Sequence, residues 1–408
     1  MRGLCLYSPC PLAVFIAAAM CAACDVRTSR DGPVVVRDSL GIQIVESASR
    51  MWAAGEGWSI ETEPAVVIGV MDGEEAYQFD GIRGVGVTAG DEIVVASSGS
   101  AEIRVYDAAG RYIRSSGGRG EGPGEFVDLV SMTVRGDTVV VFDAALARLS
   151  YFDVSGPLLG TTQLEPTGDP IHPLQLYGVG GFLGDDVVMV ATAYPADMRP
   201  EPMTYWDTLP TLRYGRNGRL LGRVGEPAGM DTYSTPERAG STTFARLTSS
   251  DVAHGALYMT DGGDYEVRVY ESAVVPARIV RVIQPRRPVT DAVLDEYFTS
   301  VVRAAESEEA RSFWARYRET WSHGQTLPWV SALVVDRVGS VWVREYQHRF
   351  DPRPERWGVF DVDGAWLGTV EMPPHFTPYE IGSNYVLGVG RDEFGVEYVR
   401  RYRLDRGM

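Results

Sequence analysis

The sequence predicts an all-β fold, a six-bladed β-propeller of four-stranded antiparallel blades, from three observations. An aromatic residue followed by a polar turn recurs along the chain, at Tyr106-Asp107 to Gly110, Phe152-Asp153 to Gly156, Tyr214-Gly215 to Gly218, Tyr270-Glu271 and Phe360-Asp361 to Gly364, and incompletely at Tyr402. Between these turns lie short β-branched and aromatic runs, about four to every forty residues, which is the content of one propeller blade. The 45 glycines, 24 prolines and 10% aromatic residues suit many short strands joined by tight turns.

Taken in order, residues 1–24 (MRGLCLYSPCPLAVFIAAAMCAAC) have one basic residue, Arg2, an apolar run from Leu12 to Met20, and small residues at Ala22 and Ala23. The run is too short to span a bilayer and has the layout of a secretory signal. Cys24 resembles the lipid acceptor of a bacterial lipobox, although Cys21 stands where that motif has an aliphatic residue. An ordinary signal peptide cut nearby is the alternative. All four cysteines (Cys5, Cys10, Cys21, Cys24) fall in this segment, so cleavage before Cys24 leaves no intramolecular disulfide and no cysteine metal cluster. The expectation is export across the inner membrane and a cell-envelope location, with membrane contact through the N-terminal lipid only.

Residues 25–33 read as a polar tether and residues 34–408 as the propeller. Ile42 to Val45 and Ala65 to Gly69 are the first strand candidates. VMDGEEAYQF, ending at Phe79, is a faded copy of the glycine loop GGRGEGPGEF, ending at Phe126. From Phe79 the units become regular. Unit one runs through Val85–Val87, Ile93–Val95, Ile103–Tyr106 and Tyr112-Ile113. Unit two runs through Met132–Val134, Val139–Phe142, Leu149–Phe152 and Leu158-Leu159. Unit three covers Leu174 to Val224 with an insertion, Tyr194 to Tyr205, and unit four covers Phe244 to Val282. Unit five covers Trp329 to Met372. The last unit, Ile381 to Leu404, lacks a fourth strand, and an open blade would expose strand edges. Ala65 to Gly69 is therefore expected to complete it and close the ring. Residues 290–322 break the pattern: Val293, Leu294, Tyr297, Phe298, Val301, Val302, Phe313, Trp314, Tyr317 and Trp321 fall at helical spacing after a Thr290 N-cap, a helical insertion between blades four and five.

On Gly117 to Phe126, the aromatic-Asp turns and the ending Tyr385 to Leu404, the chain resembles the six-bladed β-propeller lipoproteins of bacteria, relatives of the NHL-repeat propellers. The resemblance implies a fold more than a function, because that class includes binding scaffolds, lactone hydrolases and lyases. Lactonases of this kind hold a metal with a Glu, two Asn and an Asp. Here the asparagines are Asn217 and Asn384, with Asn217 in a turn, and that tetrad has no match. His172, His254, His323, His348 and His375 show no paired spacing of a metal site.

Charge and composition exclude other classes. The net charge of −17 repels nucleic-acid phosphates. All 38 positive residues are arginines, so Schiff-base, pyridoxal-phosphate and P-loop lysine chemistry is absent. The glycine loop at Gly117 to Gly124 lacks a P-loop ending and does not open a helix, so it serves as the crossing from one blade to the next. A Gly-x-Ser-x-Gly elbow is missing. Asp361-Val362-Asp363-Gly364 is a turn without the distal ligands of a calcium loop.

What remains is the mouth of the central channel, where aligning the units places Asp80, Arg83, Asp128, Gln175, Tyr177, Arg246 and Trp329. Carboxylates, guanidinium groups and aromatic rings together suit a polar ligand with one apolar face. The reading is a monomeric, non-catalytic binding scaffold for a protein, peptide or glycan, with no assigned metal or cofactor. A metal-dependent hydrolase or lyase with its site in the channel is the alternative.

Overall fold

The computed structural model describes residues 32–169, 172–193, 199–226, 228–271, 274–348 and 350–407. The signal segment, Cys24, most of the tether and residues 194–198 of the expected insertion lie outside them.

Six antiparallel sheets follow one another, each a meander of short, mostly valine- and isoleucine-rich strands. Sheet one is Ile82–Val87, Ile93–Ser97, Glu102–Tyr106 and Tyr112–Gly117; sheet two is Leu129–Arg135, Thr138–Asp143, Arg148–Asp153 and Leu158–Gln163. Sheet three is built on His172–Leu183, Asp186–Ala193, Thr211–Tyr214 and Leu220–Arg223, and sheet four on Ser249–Ala253, Ala256–Thr260, Glu266–Tyr270 and Arg278–Val282. Sheet five is Val330–Val335, Val341–Glu345, Arg356–Phe360 and Trp366–Glu371. Sheet six is Phe376–Ile381, Tyr385–Arg391 and Glu397–Asp405, and its fourth strand is Val66–Ile68, with Ile68 opposite Val399. The first strand of each sheet packs on the first strand of the next, and that of sheet six on that of sheet one.

Apolar side chains are buried seam by seam. There are six core clusters, one between each pair of neighbouring sheets; Ile93, Tyr106 and Leu387, for example, meet between sheets six and one. The inner strands are fastened in two ways. At three seams a side chain from one sheet accepts a backbone N–H from the next: Ser131 Oγ from Val179 (3.0 Å), Ser249 Oγ from Leu333 (3.0 Å), and Glu380 Oε2 from Val87 (3.1 Å). At two others a glycine allows close approach, since a Cβ on Gly84 would stand 2.7 Å from that of Met132, and one on Gly181 would stand 2.7 Å from that of Val252.

The inner strand of sheet six begins at Phe376, ahead of the Ile381 expected from sequence. Pro378 hides it, because proline inside a run argues against a strand, and here it sits where the register shifts. The N-terminal segment has a path the sequence did not reveal. The hairpin Val34–Ser39 and Ile42–Ser47 adds to the outer edge of sheet four, Ile42–Ser47 lying parallel to Arg278–Val282. The chain then bonds along sheet five (Met51 N to Trp366 O, 3.0 Å; Trp52 N to Leu367 O, 2.8 Å) before Ser59–Ile60 and Val66–Ile68 join sheet six. It forms a belt around half the rim.

Two helices, α1 (Asp291–Ala304) and α2 (Glu308–Thr320), lie between sheets four and five in the chain, with Thr290 and Ser307 as their N-caps. Their aromatic stripe packs against a small extra sheet of Met203–Leu209, Ala228–Ser234 and Ala239–Ser241 and its surroundings. Trp321 meets Tyr233 edge-on and donates to Ser241 O (2.8 Å), and Tyr297 meets Phe244.

Candidate functional site

The loops leading into the inner strands share one end of the ring with the turns after each second strand. This end is built by a repeated contact in which the lead-in backbone accepts a hydrogen bond from that turn: Gly99 N to Asp80 O (2.8 Å), Ala144 N to Asp128 O (2.9 Å), and Tyr346 N to Trp329 O (2.9 Å). An arginine on the third strand pins the same loop. Arg104 donates to the carbonyls of Glu75 and Gln78, and Arg148 to those of Glu121, Gly122 and Glu125. The glycine loop is thus a crossing held by guanidinium bonds to its carbonyls, and Phe79 and Phe126 fill corresponding places against Tyr106 and Phe152.

The expected site residues fall into two groups at this end. Arg83 and Tyr177 stand with Tyr379, a residue sequence reasoning missed because it lies on the part of the strand that Pro378 disguises. Burial pushes the Tyr379 phenol up, the Glu397 carboxylate adds to the rise, and Arg391 and Arg83 pull against it. Tyr177 is 71% exposed and Tyr379 40% exposed, so both rings face solvent. Arg83 is held lightly, through Ser98 Oγ at 3.2 Å.

Arg246 and Trp329 form the second group, on either side of the turn at Gly262. Arg246 makes a two-pronged ion pair with Asp231 (2.9 Å each) and lies 4.9 Å from the centre of the Trp206 ring. Trp329 donates its backbone N–H to Gly262 O and carries the Arg287 guanidinium on its face at 4.1 Å. Asp80 and Asp128 mark the starts of sheets one and two with exposed side chains, and join neither group through a side-chain bond among the described residues. Gln175 lies in the inner strand of sheet three; its side chain is outside the described residues.

Three other carboxylates, Glu397, Glu380 and Asp251, are engaged between blades. Glu397 accepts from Ile82 N (2.8 Å) and pairs with Arg391 (2.6 Å), and Glu380 accepts from Val87 N, pairs with Arg337 (2.8 Å) and is bonded by Tyr385 OH. Asp251, whose carboxyl burial pushes up, accepts from Val335 N at 2.7 Å. Among the described residues no three His, Cys, Asp or Glu side chains converge to hold a metal ion. Asn217 and Asn384 lie in turns at the opposite end of the ring.

Residues 74–176 match a family described as a 6-bladed β-propeller. The fold is a six-bladed β-propeller. A solved member of the DUF4221 family from Bacteroides vulgatus aligns with 86% of this chain and 99% of its own, at 10% identity and a TM-score of 0.52. Virginiamycin B lyase from Staphylococcus aureus (9% identity, 86% of this chain and 100% of its own, TM-score 0.38) is also similar. So is regucalcin, a calcium-binding protein from Agrobacterium tumefaciens (9% identity, 82% and 94%, TM-score 0.38). At these identities the likeness is one of propeller architecture. No curated protein matches the sequence significantly.

Proposed function

We propose that this propeller is a non-catalytic binding scaffold of the cell envelope. Its ring is sealed by Val66–Ile68 docking on blade six, its helical insertion α1–α2 sits between blades four and five, and a lipid on Cys24 ties it to the membrane. As a monomer it presents the channel mouth to a protein, peptide or glycan.

The observation that supports this reading is how the carboxylates are used. Glu397, Glu380 and Asp251 each give an oxygen to a backbone N–H of a neighbouring blade. A general acid or base needs a carboxyl within reach of a substrate proton, and these three hold the frame instead. The groups facing outward are the rings of Tyr177 and Tyr379, the guanidinium groups of Arg83 and Arg391 and the carboxylates of Asp80 and Asp128; the rings and guanidinium groups are side-chain types that dominate recognition hot spots.

The test is to probe peptide and glycan arrays with the purified protein and with the Tyr177→Ala/Tyr379→Ala double variant, measuring divalent metal content on the same sample. Binding lost in the double variant is the expected result. A stoichiometric metal ion that survives dialysis, together with turnover of a lactone substrate, would replace this reading with a channel hydrolase or lyase.

A further inference from the structure

We propose that the seam between blades two and three is a binding site for a small organic anion with an apolar body, at the end of the inner strands opposite the mouth. The argument starts from one repeated position on the outer strand of each blade. Strand registers equate Arg114, Gly160, Gly222, Arg278, Gly368 and Val66, which face Val105, Tyr151, Arg213, Val269, Val359 and Arg401. In blade one Arg114 fills the seam to blade two, donating to Val154 O at 2.7 Å and to Glu92 at 3.3 Å. In blade four Arg278 does the same toward blade five, donating to Val362 O at 3.0 Å. In blade five the position is Gly368, and the ring of Trp52 from the belt lies against it.

Blades two and three both have glycine here; in blade three the facing Arg213 is paired with Asp186 at 2.7 Å, and in blade two there is no substitute. Nothing lies within 4 Å of where a Cβ of Gly160 would stand. The position of the acidic partner Glu92 is occupied by Thr138, because Val94 and Val140 are equivalent through Val105 and Tyr151. Plug and counter-charge are both gone. What is left is a cavity of about 490 Å³, within the ordinary range for small-molecule sites.

Its walls reverse the charge logic of the filled seams. Arg135 and Arg216 enter from blades two and three and share the Asp185 carboxylate, at 3.6 and 2.9 Å. Two guanidinium groups against one carboxylate leave a positive site on a chain whose net charge is −17. Arg135 also lies over the Phe182 ring at 5.1 Å, and Val140 and Leu159 supply apolar surface. A carboxylate head would pair with the arginines while an aromatic or alkyl body fills the volume that a side chain fills in blades one and four.

The experiment is isothermal titration of the whole protein with 4-phenylbutyrate and with octanoate, set against their neutral amides. Saturable binding of at least one carboxylate, at about 1 mM or tighter, is expected, with its amide weaker by about tenfold or more. Arg135→Gln and Arg216→Gln should each weaken binding about tenfold. Gly160→Arg, which restores the plug, should abolish it with the circular dichroism spectrum unchanged; should that variant not fold, the Arg135→Gln/Arg216→Gln double variant carries the same test. No saturable binding of either acid up to about 10 mM, equal binding of the amides, or binding that survives the plug or the double substitution would overturn the proposal. The mouth is a separate site, so Tyr177→Ala leaves this binding intact whatever it does on the arrays.

Discussion

Replacing Asp336 with alanine tests how the belt and the segment after the last strand are held to blade five. This carboxylate is fully buried and accepts four hydrogen bonds: from Ser340 N (2.7 Å), Val338 N (3.1 Å), Trp342 Nε1 (2.9 Å) and Arg406 Nη2 (2.7 Å). Arg406 follows the last strand and lies 4.1 Å from the centre of the Trp58 ring, in the belt. Asp336 therefore ties blade five to Arg406 and, through it, to the belt. Alanine strands a half-buried guanidinium and a buried indole N–H. Breaking a buried pair from one side costs about 3–5 kcal/mol, and water entering the gap offsets part of the lost backbone bonds, so a net loss of about 4 kcal/mol is expected. At about 2.1 cal/mol/K per residue the unfolding entropy of the folded chain is about 0.8 kcal/mol/K, so Tm should fall by about 5 °C. Arg406→Met breaks the same pair from the other side, leaving a buried carboxylate with three uncharged donors, and should cost about 3 kcal/mol. The double variant should lose less than the sum of the two, by about 1 kcal/mol or more, because the stranded guanidinium has been removed. Calorimetry on the four proteins decides it. A Tm for Asp336→Ala within about 1 °C of the parent, or strict additivity, would refute the clamp.

Further outcomes follow from the same geometry. Tyr177→Ala and Tyr379→Ala should each weaken a mouth ligand found on the arrays by about tenfold without changing Tm, read by titration of the isolated ligand. Trp52→Ala removes the ring seated on Gly368 and should cost about 2–3 kcal/mol, seen as a drop in urea midpoint; an unchanged midpoint would mean the belt is not packed there. Burial pushes the phenols of Tyr214, Tyr270, Tyr317 and Tyr346 up to about 12. The unfolded chain gives up those protons near pH 10, so this stability is intact below about pH 10 and is lost as pH rises toward about 12. Ultraviolet absorbance should show these tyrosinates forming as circular dichroism is lost, whereas full titration near pH 10 with the fold intact would contradict it.

What could be read from sequence was local and repeated. The aromatic-Asp turns are legible because each Asp caps its own turn: Asp107 Oδ1 accepts from Ala109 and Arg111, and Asp361 Oδ1 from Asp363 and Ala365. Thr290 and the apolar spacing after it were enough to place a helix. The pairing of Ile42–Ser47 with Arg278–Val282 was invisible, because a parallel edge contact between residues so far apart has no turn to announce it. Tyr379 was lost to the proline beside it. Arg83 and Tyr177 were legible as inner-strand residues, yet Arg391 and Glu397 reach the mouth from the second turn of blade six, which unit alignment ranked by inner strands alone. The open seam at Gly160 was hidden for another reason: a missing side chain is noticed only once the arginines of blades one and four have been seen to fill the same space.

The belt also fixes the order in which the chain acquires its structure. Residues 34–68 are synthesised before the edges they bond to, Arg278–Val282, Trp366–Glu371 and Glu397–Asp405. The belt must stay unpaired until those later strands have followed it. Only then do these pairings form, so assembly of the belt waits for blades four to six. A truncated product, lacking the strands the belt needs, would keep its leading hairpin exposed and be an easy substrate for quality-control proteases.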